Sequence, residues 1–442
     1  MASLNNATKL TSHKIVLLIS LNFPPETTGG ATGAWNRAMV LQKLGFKVFV
    51  LAGIPSSSKN NIYDYKYKNK LFFKENIENI CVFRIKVPNL DISGFFKPFI
   101  VFMTFIIFGI IIIPKILLIT SKIDIIYARS PIVFCSILGF IYSKLRHSYY
   151  IYEAPDIWPD ELITIKSPLT SLVSFFGKIF ANFSYMSCDL IITVSKSAAD
   201  YIVKYYKPEK RVYGIPSGVD INKFTPLPRM ECRTKLISES IFHSNVLNKF
   251  LVLYSGKLSS AQKIDDLIYA AEKLKEHEDI YFIVIGDGPN KSELVKLKNQ
   301  KGLTNLIFMK PQKRNMMPYI ISAVDTCTIF LSPEPVFDIA IPTKFYEYIG
   351  CQKPIIGICK GEVARIIQTY NIGYVCEHSN IDELVDAVLK LHNLDDSSSL
   401  ANNCKNALEN FSLDSISKEF HSMFLENYKS YSTSTHNLKT NG

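Results

Sequence analysis

Several classes of protein are excluded by what this 442-residue chain lacks. Its nine cysteines are scattered, without a Cys-x-x-Cys pair or a regular spacing, so the sequence predicts reduced thiols and neither a disulfide framework nor a zinc site. The first residues, MASLNNATKLTSHK, have no apolar core, so no secretory signal is expected. No basic cluster with interleaved aromatic residues and no known nucleic-acid motif occurs, which argues against nucleic acid as a partner.

Acidic residues are scarce in the N-terminal half of the chain. Residues 1–215 contain 25 lysines and arginines against 13 acidic residues, a net charge of +12, whereas the remainder has 25 against 26, a net charge of −1. The whole excess of positive charge therefore lies in the N-terminal half of the chain. Since no nucleic-acid motif accompanies it, an anionic membrane surface is the expected partner.

The same half contains one long apolar segment, FKPFIVFMTFIIFGIIIIPKILLI, at residues 96–119. Its core from Phe99 to Ile113 runs for 15 residues without charge or proline. As a helix this core would be about 22 Å long, shorter than the roughly 30 Å hydrocarbon core of a bilayer. A single crossing would also place residues 1–95 and 120–215 on opposite sides of the membrane and so split one α/β domain. The sequence therefore favours a monotopic or re-entrant helix, with a buried core helix and a true span as alternatives.

Short apolar segments that end in polar loops recur along the chain and predict two α/β domains with parallel sheets. A polar segment without strand character, residues 226–245, separates two series of such segments. The expected organisation is a first domain at 1–215, a second at 216–412, a return helix at 413–429 and a disordered tail at 430–442. The predicted strands are 14–20, 47–53, 123–131, 149–155 and 189–195, followed by 250–256, 280–289, 306–310, 326–332 and 354–358.

Glycines follow the first predicted strand. Gly29, Gly30 and Gly33 open the next helix, where backbone N–H groups can approach an oxyanion and the helix dipole favours negative charge. Ligands of open α/β sheets bind beyond the carboxyl ends of strands, which is where these residues lie. Their spacing is not Gly-x-Gly-x-x-Gly, so a dinucleotide fold is not favoured. A glycine-rich turn without a ligand is the alternative.

Two further segments are more specific in combination: PSGVDINKF (216–224) and PTKFYEYIGCQKP (342–354). With them, the chain resembles the nucleotide-sugar glycosyltransferases of family 4 over roughly residues 14–425. The resemblance implies the GT-B fold, in which two Rossmann-like parallel-sheet domains face each other across a cleft. The segments YEAPDIWPDEL (152–162) and SGKLSSAQK (255–263) look most like the bacterial branch that transfers amino-deoxy sugars in O-antigen and capsule assembly.

Glu347 is the acid of the second motif, and Lys344 precedes it in the same motif. The resemblance implies that both bind the donor, with Glu347 accepting hydrogen bonds from the ribose hydroxyls. A carboxylate can accept two hydrogen bonds and a vicinal diol donates two. A solvated Glu on a helix surface is the alternative. The family has a second acid eight residues earlier, where this chain has Ile339 beside Asp338. Either Asp338 replaces it or the donor sugar is recognised differently.

Two lysines match the basic pair with which the family neutralises the departing diphosphate: Lys257, next to Gly256, and Lys263. Two ammonium groups can offset this charge without a metal ion. The chain also has no Asp-x-Asp, the magnesium-bridging pair of the other main glycosyltransferase fold. A metal-independent reaction is expected, with no cofactor and with a nucleotide sugar, UDP-linked by expectation, as co-substrate. Solvated surface lysines are the alternative.

Other positions follow from the resemblance with less specificity. Gly286 and Gly288 would line the nucleotide cleft, and Ser217 would shape the crossing between the domains, although simple turns explain all three. Many family members have a histidine after the fourth strand of the first domain, and this chain has none there. Asp156 is the first candidate for a carboxylate at the reacting centre and Glu153 the second, with an N-cap role as the alternative for Asp156.

The sequence thus predicts a retaining, metal-independent hexosyltransferase at the cytoplasmic face of the cell membrane, bound peripherally or monotopically. It would move a sugar from a nucleotide diphosphate donor to a lipid-linked glycan acceptor. Retention is implied by the resemblance alone. The alternatives are a GT-B nucleotide-sugar epimerase, which would not need the apolar segment, and a non-catalytic membrane-bound protein that binds nucleotide sugars.

Overall fold

The computed structural model describes residues 14–55, 64–67, 70–88, 96–120, 122–130, 135–160, 168–394 and 396–440. Residues 1–14, for which no secretory signal was expected, lie almost wholly outside the described residues. The chain divides into two compact units, here called the first unit (1–217 with 413–442) and the second unit (218–412). The C-terminal segment from Leu413 thus belongs to the first unit.

The first unit contains an eight-stranded sheet in the order β3-β4-β2-β1-β5-β6-β7-β8. All neighbouring strands are parallel except β3 and β4, which form an antiparallel pair at one edge. The central strand β1 pairs with β2 from Ile15 opposite Lys47 and with β5 from Val16 opposite Ile125. The strands are β1 Ile15–Ile19, β2 Lys47–Gly53, β3 Phe72–Ile77, β4 Ile80–Ile85, β5 Ile125–Arg129, β6 Tyr149–Ala154, β7 Leu190–Thr193 and β8 Val212–Gly214.

Helices connect these strands and cover the sheet. They are α1 Gly29–Lys43, α2 Asp64–Tyr67, α3 Phe96–Ile111, α4 Ile113–Ile119, α5 Cys135–Arg146, α6 Pro168–Ser187 and α7 Lys196–Tyr206, with α17 Leu413–Thr440 at the end of the chain. Thr28 caps α1, its side chain accepting a hydrogen bond from the Ala31 N–H. The predicted glycine-rich helix start is therefore confirmed.

Two predictions for this unit were wrong or incomplete. The strands β3, β4 and β8 were not predicted. β3 mixes charged and apolar residues at a sheet edge, where one side of a strand is solvated, β4 contains the charged Arg84, and β8 has only three residues. The tail from residue 430 was predicted to be disordered, yet α17 continues to Thr440. The rings of Tyr428 and Tyr431, three residues apart on α17, pack against Tyr149 with centroids 5.4 and 4.9 Å away. That apolar contact is not visible in the polar composition of the tail.

The apolar segment 96–119 forms α3 and α4, which meet at an angle of 50°. Pro114, near the start of α4, lacks the N–H that would continue α3. Phe102, Phe105 and Ile106 are buried, whereas Ile107 and Leu118 are exposed. Within the described residues, no single helix has both the length and the apolar character to cross a membrane, and only this bent pair meets those criteria jointly.

The second unit contains a six-stranded parallel sheet in the order β11-β10-β9-β12-β13-β14. Along β9, Leu251 and Leu253 enter the core on one face of the sheet, and Val252 and Tyr254 enter the core on the other. Both faces are therefore covered, as in other parallel sheets. The strands are β9 Phe250–Lys257, β10 Ile280–Asp287, β11 Leu306–Met309, β12 Thr326–Phe330, β13 Ile355–Ile358 and β14 Gly373–Cys376.

Two parallel-sheet α/β units confirm the predicted fold class, and β14 is the one strand here that the sequence did not predict. The segment 226–245, predicted to lack strands, contains a helix. The helices of the second unit are α8 Arg229–Ser238, α9 Asp265–Lys273, α10 Lys291–Gln300, α11 Met317–Ala323, α12 Pro335–Asp338, α13 Thr343–Gly350, α14 Gly361–Tyr370, α15 Ile381–His392 and α16 Ser398–Phe411.

Candidate functional site

The predicted donor residues of the second unit gather around the carboxyl end of β9. Gly256 and Gly286 face each other in the register of β9 and β10. A Cβ atom on Gly286 would lie 1.9 Å from the Gly256 carbonyl oxygen, and one on Gly288 would lie 2.1 Å from that of Leu258. No side chain fits at either position, so the glycines allow two backbone segments to pack closely where the strands end.

Lys344 lies against this backbone. Its Nζ atom is 4.0 Å from the centre of the Tyr254 ring and would be 2.7 Å from a Cβ atom on Gly256. Burial lowers the pKa of Lys344 from 10.5 to about 7, and the nearby charge of Glu347 opposes this shift. The amine is thus close to half-protonated at neutral pH. An anion bound at the end of β9 would favour its charged form.

Glu347 lies one turn further along α13 and is 7% exposed. One of its carboxylate oxygens accepts a hydrogen bond from Nη1 of Arg314 at 2.8 Å. The Arg314 guanidinium in turn lies over the ring of Phe224, 5.0 Å from its centre. Glu347 is therefore held by a partner rather than solvated on a helix surface. Sequence analysis missed Arg314, which lies in a short polar segment without a motif.

The two tyrosines beside Glu347 explain how the carboxylate is fixed. Tyr346 and Tyr348 are both fully buried. The Tyr348 hydroxyl accepts a hydrogen bond from the Ser255 N–H at 3.2 Å and lies 2.9 Å from its Oγ atom. These contacts tie α13 to the end of β9. The motif thus combines apolar anchors with polar residues that face the strand end.

The predicted lysine pair is placed less closely. Lys257 is the last residue of β9 and is exposed. Lys263 is half-buried and follows the short 3-10 turn at residues 260–262, with φ of 42°. It lies within electrostatic reach of Asp266 and His378. Both cations belong to the same β9–α9 connection, although no direct contact joins them in the described structure.

A second group of polar residues was missed by sequence analysis. Burial lowers the pKa of His378, and the charges of Lys263 and Lys360 lower it further. Both ring nitrogens of His378 are buried without a hydrogen-bond partner among the described residues. Burial raises the pKa of Asp338, which interacts with Lys360 and His378. Asp338, the candidate for the missing family acid, therefore belongs to a mixed-charge cluster that also includes Lys263.

The glycine-rich helix start of the first unit is held by an arginine. Arg129 Nη1 donates a hydrogen bond to the Gly30 carbonyl at 3.2 Å. A Cβ atom on Gly33 would lie 2.3 Å from Arg129 Nη2, so Gly33 is needed where this side chain crosses α1. Gly29 is the first residue of the helix. Packing thus accounts for Gly33, and the N-terminal N–H groups of α1 lie beside a cation.

Glu153 is fully buried, which argues against its predicted role near the reacting centre. Burial would raise its pKa, but the charges of Arg37 and Arg129 outweigh this effect and lower it. The carboxylate accepts hydrogen bonds from Arg37 at 3.2 and 3.3 Å and from the Tyr127 hydroxyl at 2.8 Å. Glu153 thus holds the ends of β5 and β6 to α1 as an ionised, paired group.

Asp156 is an exposed residue on the loop that follows β6. Further along this loop, Trp158 and Pro159 pack against α6, where a Cβ atom on Gly177 would lie 2.8 Å from each of them. Ser217 is buried and is the last residue of the first unit before the chain enters the second. Of the two predicted acids, Asp156 is the accessible one.

Within the part of the chain that the structure describes, no three His, Cys, Asp or Glu side chains come together as a group that could hold a metal ion. All the cysteines lie in described residues and are free, and eight of the nine are buried. They therefore act as packing residues.

Family models match both units. The model described as Glycosyltransferase Family 4 matches residues 27–223, and the model described as Glycosyl transferases group 1 matches residues 238–410. Together they cover most of the chain in the order expected for a two-domain enzyme. The chain belongs to the family 4 glycosyltransferases, as the motifs around Ser217 and Glu347 predicted.

Curated relatives are distant and matched in part. WcaI of Escherichia coli K12, named as a glycosyl transferase of colanic acid biosynthesis, is 27% identical over 144 residues, which are 32% of this chain and 35% of that protein. Alpha-monoglucosyldiacylglycerol synthase of Acholeplasma laidlawii is 22% identical over 302 residues, 66% of this chain and 69% of that protein. The chain thus spans about a third of the first relative and about two-thirds of the second.

Solved structures show the same fold. Sucrose-phosphate synthase from Thermosynechococcus elongatus superposes with a TM-score of 0.73 at 13% identity, covering 95% of this chain and all of that one. HepE of Anabaena, in complex with UDP-glucose, superposes with a TM-score of 0.64 at 17% identity, covering 94% of this chain and all of that one. The predicted GT-B fold is confirmed.

Proposed function

We propose that this protein transfers a hexosyl unit from a UDP-linked sugar to a lipid-linked glycan acceptor in cell-surface polysaccharide synthesis. The observation that carries the proposal is the arrangement of Lys344 and Glu347 on α13, anchored to the glycine-lined end of β9. A cation against the backbone of a strand end and a fixed carboxylate one turn away fit the diphosphate and the ribose of a nucleotide sugar. HepE, which shares the fold, was solved with UDP-glucose, which supports UDP as the nucleotide.

In this proposal the ribose and the diphosphate of the nucleotide sugar each have a partner in the second unit. The ribose hydroxyls donate to the Glu347 carboxylate, whose remaining lone pairs stay with Arg314. The diphosphate lies at the strand end near Lys344, and Lys257 and Lys263 of the β9–α9 connection supply further positive charge. Gly256 and Gly286 allow the two strand ends and the Lys344 amine to pack closely there.

The reaction breaks the bond between the anomeric carbon and the diphosphate oxygen, and the acceptor hydroxyl forms the new bond to that carbon. Negative charge grows on the departing diphosphate, and preorganised cations stabilise that charge in the transition state. The acceptor proton passes to the diphosphate or to a carboxylate, for which Asp156 is the accessible candidate. The resemblance to family 4 supports retention of configuration, and the lysines together with the absence of Asp-x-Asp support a metal-independent reaction.

The acceptor and the location are inferred from the first unit. Its charge of +12 and its partly exposed apolar segment support attachment to the cytoplasmic face of the cell membrane. The two relatives are named for colanic acid synthesis and for the glucosylation of a diacylglycerol, which supports a polysaccharide pathway and a lipid-linked acceptor. Peripheral or monotopic binding fits the bent pair α3–α4.

A product assay with membranes and radiolabelled nucleotide sugars tests this function. The expected product is a labelled lipid that appears with one UDP-sugar and is lost with Glu347→Ala. A changed nucleotide sugar without labelled lipid would instead indicate an epimerase. Binding of the nucleotide sugar without any product, across a full set of donors and membrane acceptors, would indicate a non-catalytic binding protein.

A further inference from the structure

One layer of helices in the first unit exposes apolar side chains to an unusual extent. α3, α5 and α6 are neighbours: Gly109 of α3 packs against Leu138 of α5, and Phe140 of α5 packs against Phe183 of α6 with ring centroids 5.4 Å apart. We call the outer surface of α3, α4, α5 and α6 the three-helix face, since α4 continues α3. Its exposed apolar residues include Ile107, Leu118, Leu145, Phe175, Phe176 and Ile179.

The exposure of apolar side chains is clearest on α6. Its inner side is formed by Gly177, Ala181 and Tyr185, which are buried at the four-residue spacing of a helix. Its outer side would be polar in an ordinary surface helix. Instead it presents Phe175, 63% exposed, and Ile179, 51% exposed, with further apolar residues along the same side. The sequence predicted membrane contact from the charge of residues 1–215 and from the apolar segment 96–119, and it gave α6 no role.

The charge of the three-helix face has one sign. None of the four helices contains an acidic residue, while Lys115, Lys144 and Lys178 are exposed on α4, α5 and α6. Lys178 lies within the apolar outer side of α6, between Phe176 and Ile179. Large apolar side chains mixed with lysines and without acids are complementary to a bilayer with anionic headgroups, since the rings enter the interface and the ammonium groups meet the phosphates.

The inner side of α6 contacts the loop with the candidate acceptor residue. Gly177 has no room for a side chain, because Trp158 and Pro159 pack directly onto it. Asp156 lies two residues before Trp158 on the same loop and is exposed. A lipid surface bound to the outer side of α6 would therefore be separated from the acceptor loop by the thickness of one helix.

We propose that α6, with its neighbours α3 to α5, docks the protein on an anionic lipid surface, and that it holds the Asp156 loop close to that surface. The proposal rests on the proposed function only in taking the acceptor to be lipid-linked. A lipid surface is chosen over a second protein because its headgroups complement the lysines and the absence of acids across four helices.

Vesicle sedimentation of the full chain tests the docking surface. The wild-type protein is expected to sediment with vesicles that contain phosphatidylglycerol and to stay in solution with vesicles of phosphatidylcholine alone. The triple variant Phe175→Ser, Phe176→Ser, Ile179→Ser should bind the anionic vesicles about 10-fold or more weakly. The three replaced side chains are exposed, so their removal should leave the core intact. Its UDP affinity and thermal unfolding should match those of the wild type.

The variant Met230→Ser, Tyr269→Ser is the matched control, since both residues are exposed and apolar but lie in the second unit. It should bind vesicles like the wild type. Unchanged binding by the α6 variant, or equal binding to both kinds of vesicle, would overturn the proposal. A wild-type dimer that the α6 variant converts to a monomer would also overturn it in favour of a protein interface. Failure of every donor in the product assay, with vesicle binding intact, would refute the proposed function and leave the docking surface standing.

Discussion

The two units are built on similar parallel sheets, yet their outer helices differ. In the second unit α15 buries Leu384, Val388 and Leu391 and turns its acidic and basic residues outward, as an amphipathic helix in water does. In the first unit α6 is apolar on both sides. Among the described residues, 15 exposed large hydrophobic side chains lie in the first unit and three in the second. This difference, within the described residues, is what the proposed docking of the first unit on a lipid surface would require.

The largest expected effect sharpens this comparison within a single helix. Phe105 is buried and Ile107, two residues on, is 56% exposed on α3. Phe105→Ala should lower the free energy of unfolding of the first unit by about 3–5 kcal/mol, because it leaves a cavity in a packed core. Ile107→Ala should change it by about 0.5 kcal/mol or less. Chemical denaturation measures both.

Equal losses of stability for Phe105→Ala and Ile107→Ala would mean that both sides of α3 pack in the core. The outer side of α3 would then not belong to the three-helix face. Replacing Phe102, Phe105 and Ile106 with serine would unfold the unit rather than release it from a membrane, because all three are buried.

The second effect concerns catalysis in the second unit. Lys263→Ala should lower kcat by about 100- to 1000-fold, the range found when one charge-stabilising group is removed from a developing anion. Activity of the wild type should survive EDTA. Lys273→Ala, on the exposed end of α9, is the control and should keep its activity. A strict requirement for magnesium would contradict the assignment of diphosphate neutralisation to lysines.

The third effect is on donor binding. Glu347→Ala should weaken UDP binding by about 1.5–3 kcal/mol, the usual contribution of hydrogen bonds to a charged group. Titration calorimetry measures the affinity, and Glu293→Ala, an exposed acid of the same unit, is the control. Vesicle binding should stay unchanged, since Glu347 lies outside the first unit. An unaltered UDP affinity would remove the ribose from this site.

The smallest effect is a pH dependence. The pKa of Lys344 is about 7, so its protonated fraction falls between pH 6 and pH 8. If the ammonium contacts the diphosphate, UDP affinity should fall by about 10-fold over this range. Lys344→Met should bind more weakly and lose most of this dependence, while Lys313→Met, on an exposed lysine, should retain it. A pH profile that Lys344→Met leaves unchanged would place the diphosphate elsewhere.

Lys344 also affects the stability of the fold, and this effect changes with pH in the opposite direction to UDP affinity. Its folded pKa lies below the unfolded value of 10.5, so the unfolded chain binds more protons between pH 7 and pH 10.5. The contribution of Lys344 to stability therefore rises with pH in this window and is unfavourable at pH 7. Lys344→Met should accordingly raise the Tm of the second unit at pH 7, which calorimetry can measure. This combination of a less stable fold and better binding is typical of a functional residue.

The sequence by itself determined the two-domain α/β fold and the family. Ten of the strands were visible because buried strands are short, apolar and followed by polar loops. The motif around Glu347 was visible because its residues are close in sequence. These are local patterns, and local patterns survive without knowledge of the packing.

Tertiary structure alone decided the rest. It brought Arg314 to Glu347 from 33 residues away and buried Glu153 between Arg37 and Arg129, which no spacing reveals. It also decided which side of α3 and α6 faces the core, because an almost wholly apolar helix has no periodicity to show it. A sequence states which residues are apolar, but only their neighbours in the fold determine which of them still meet solvent or lipid.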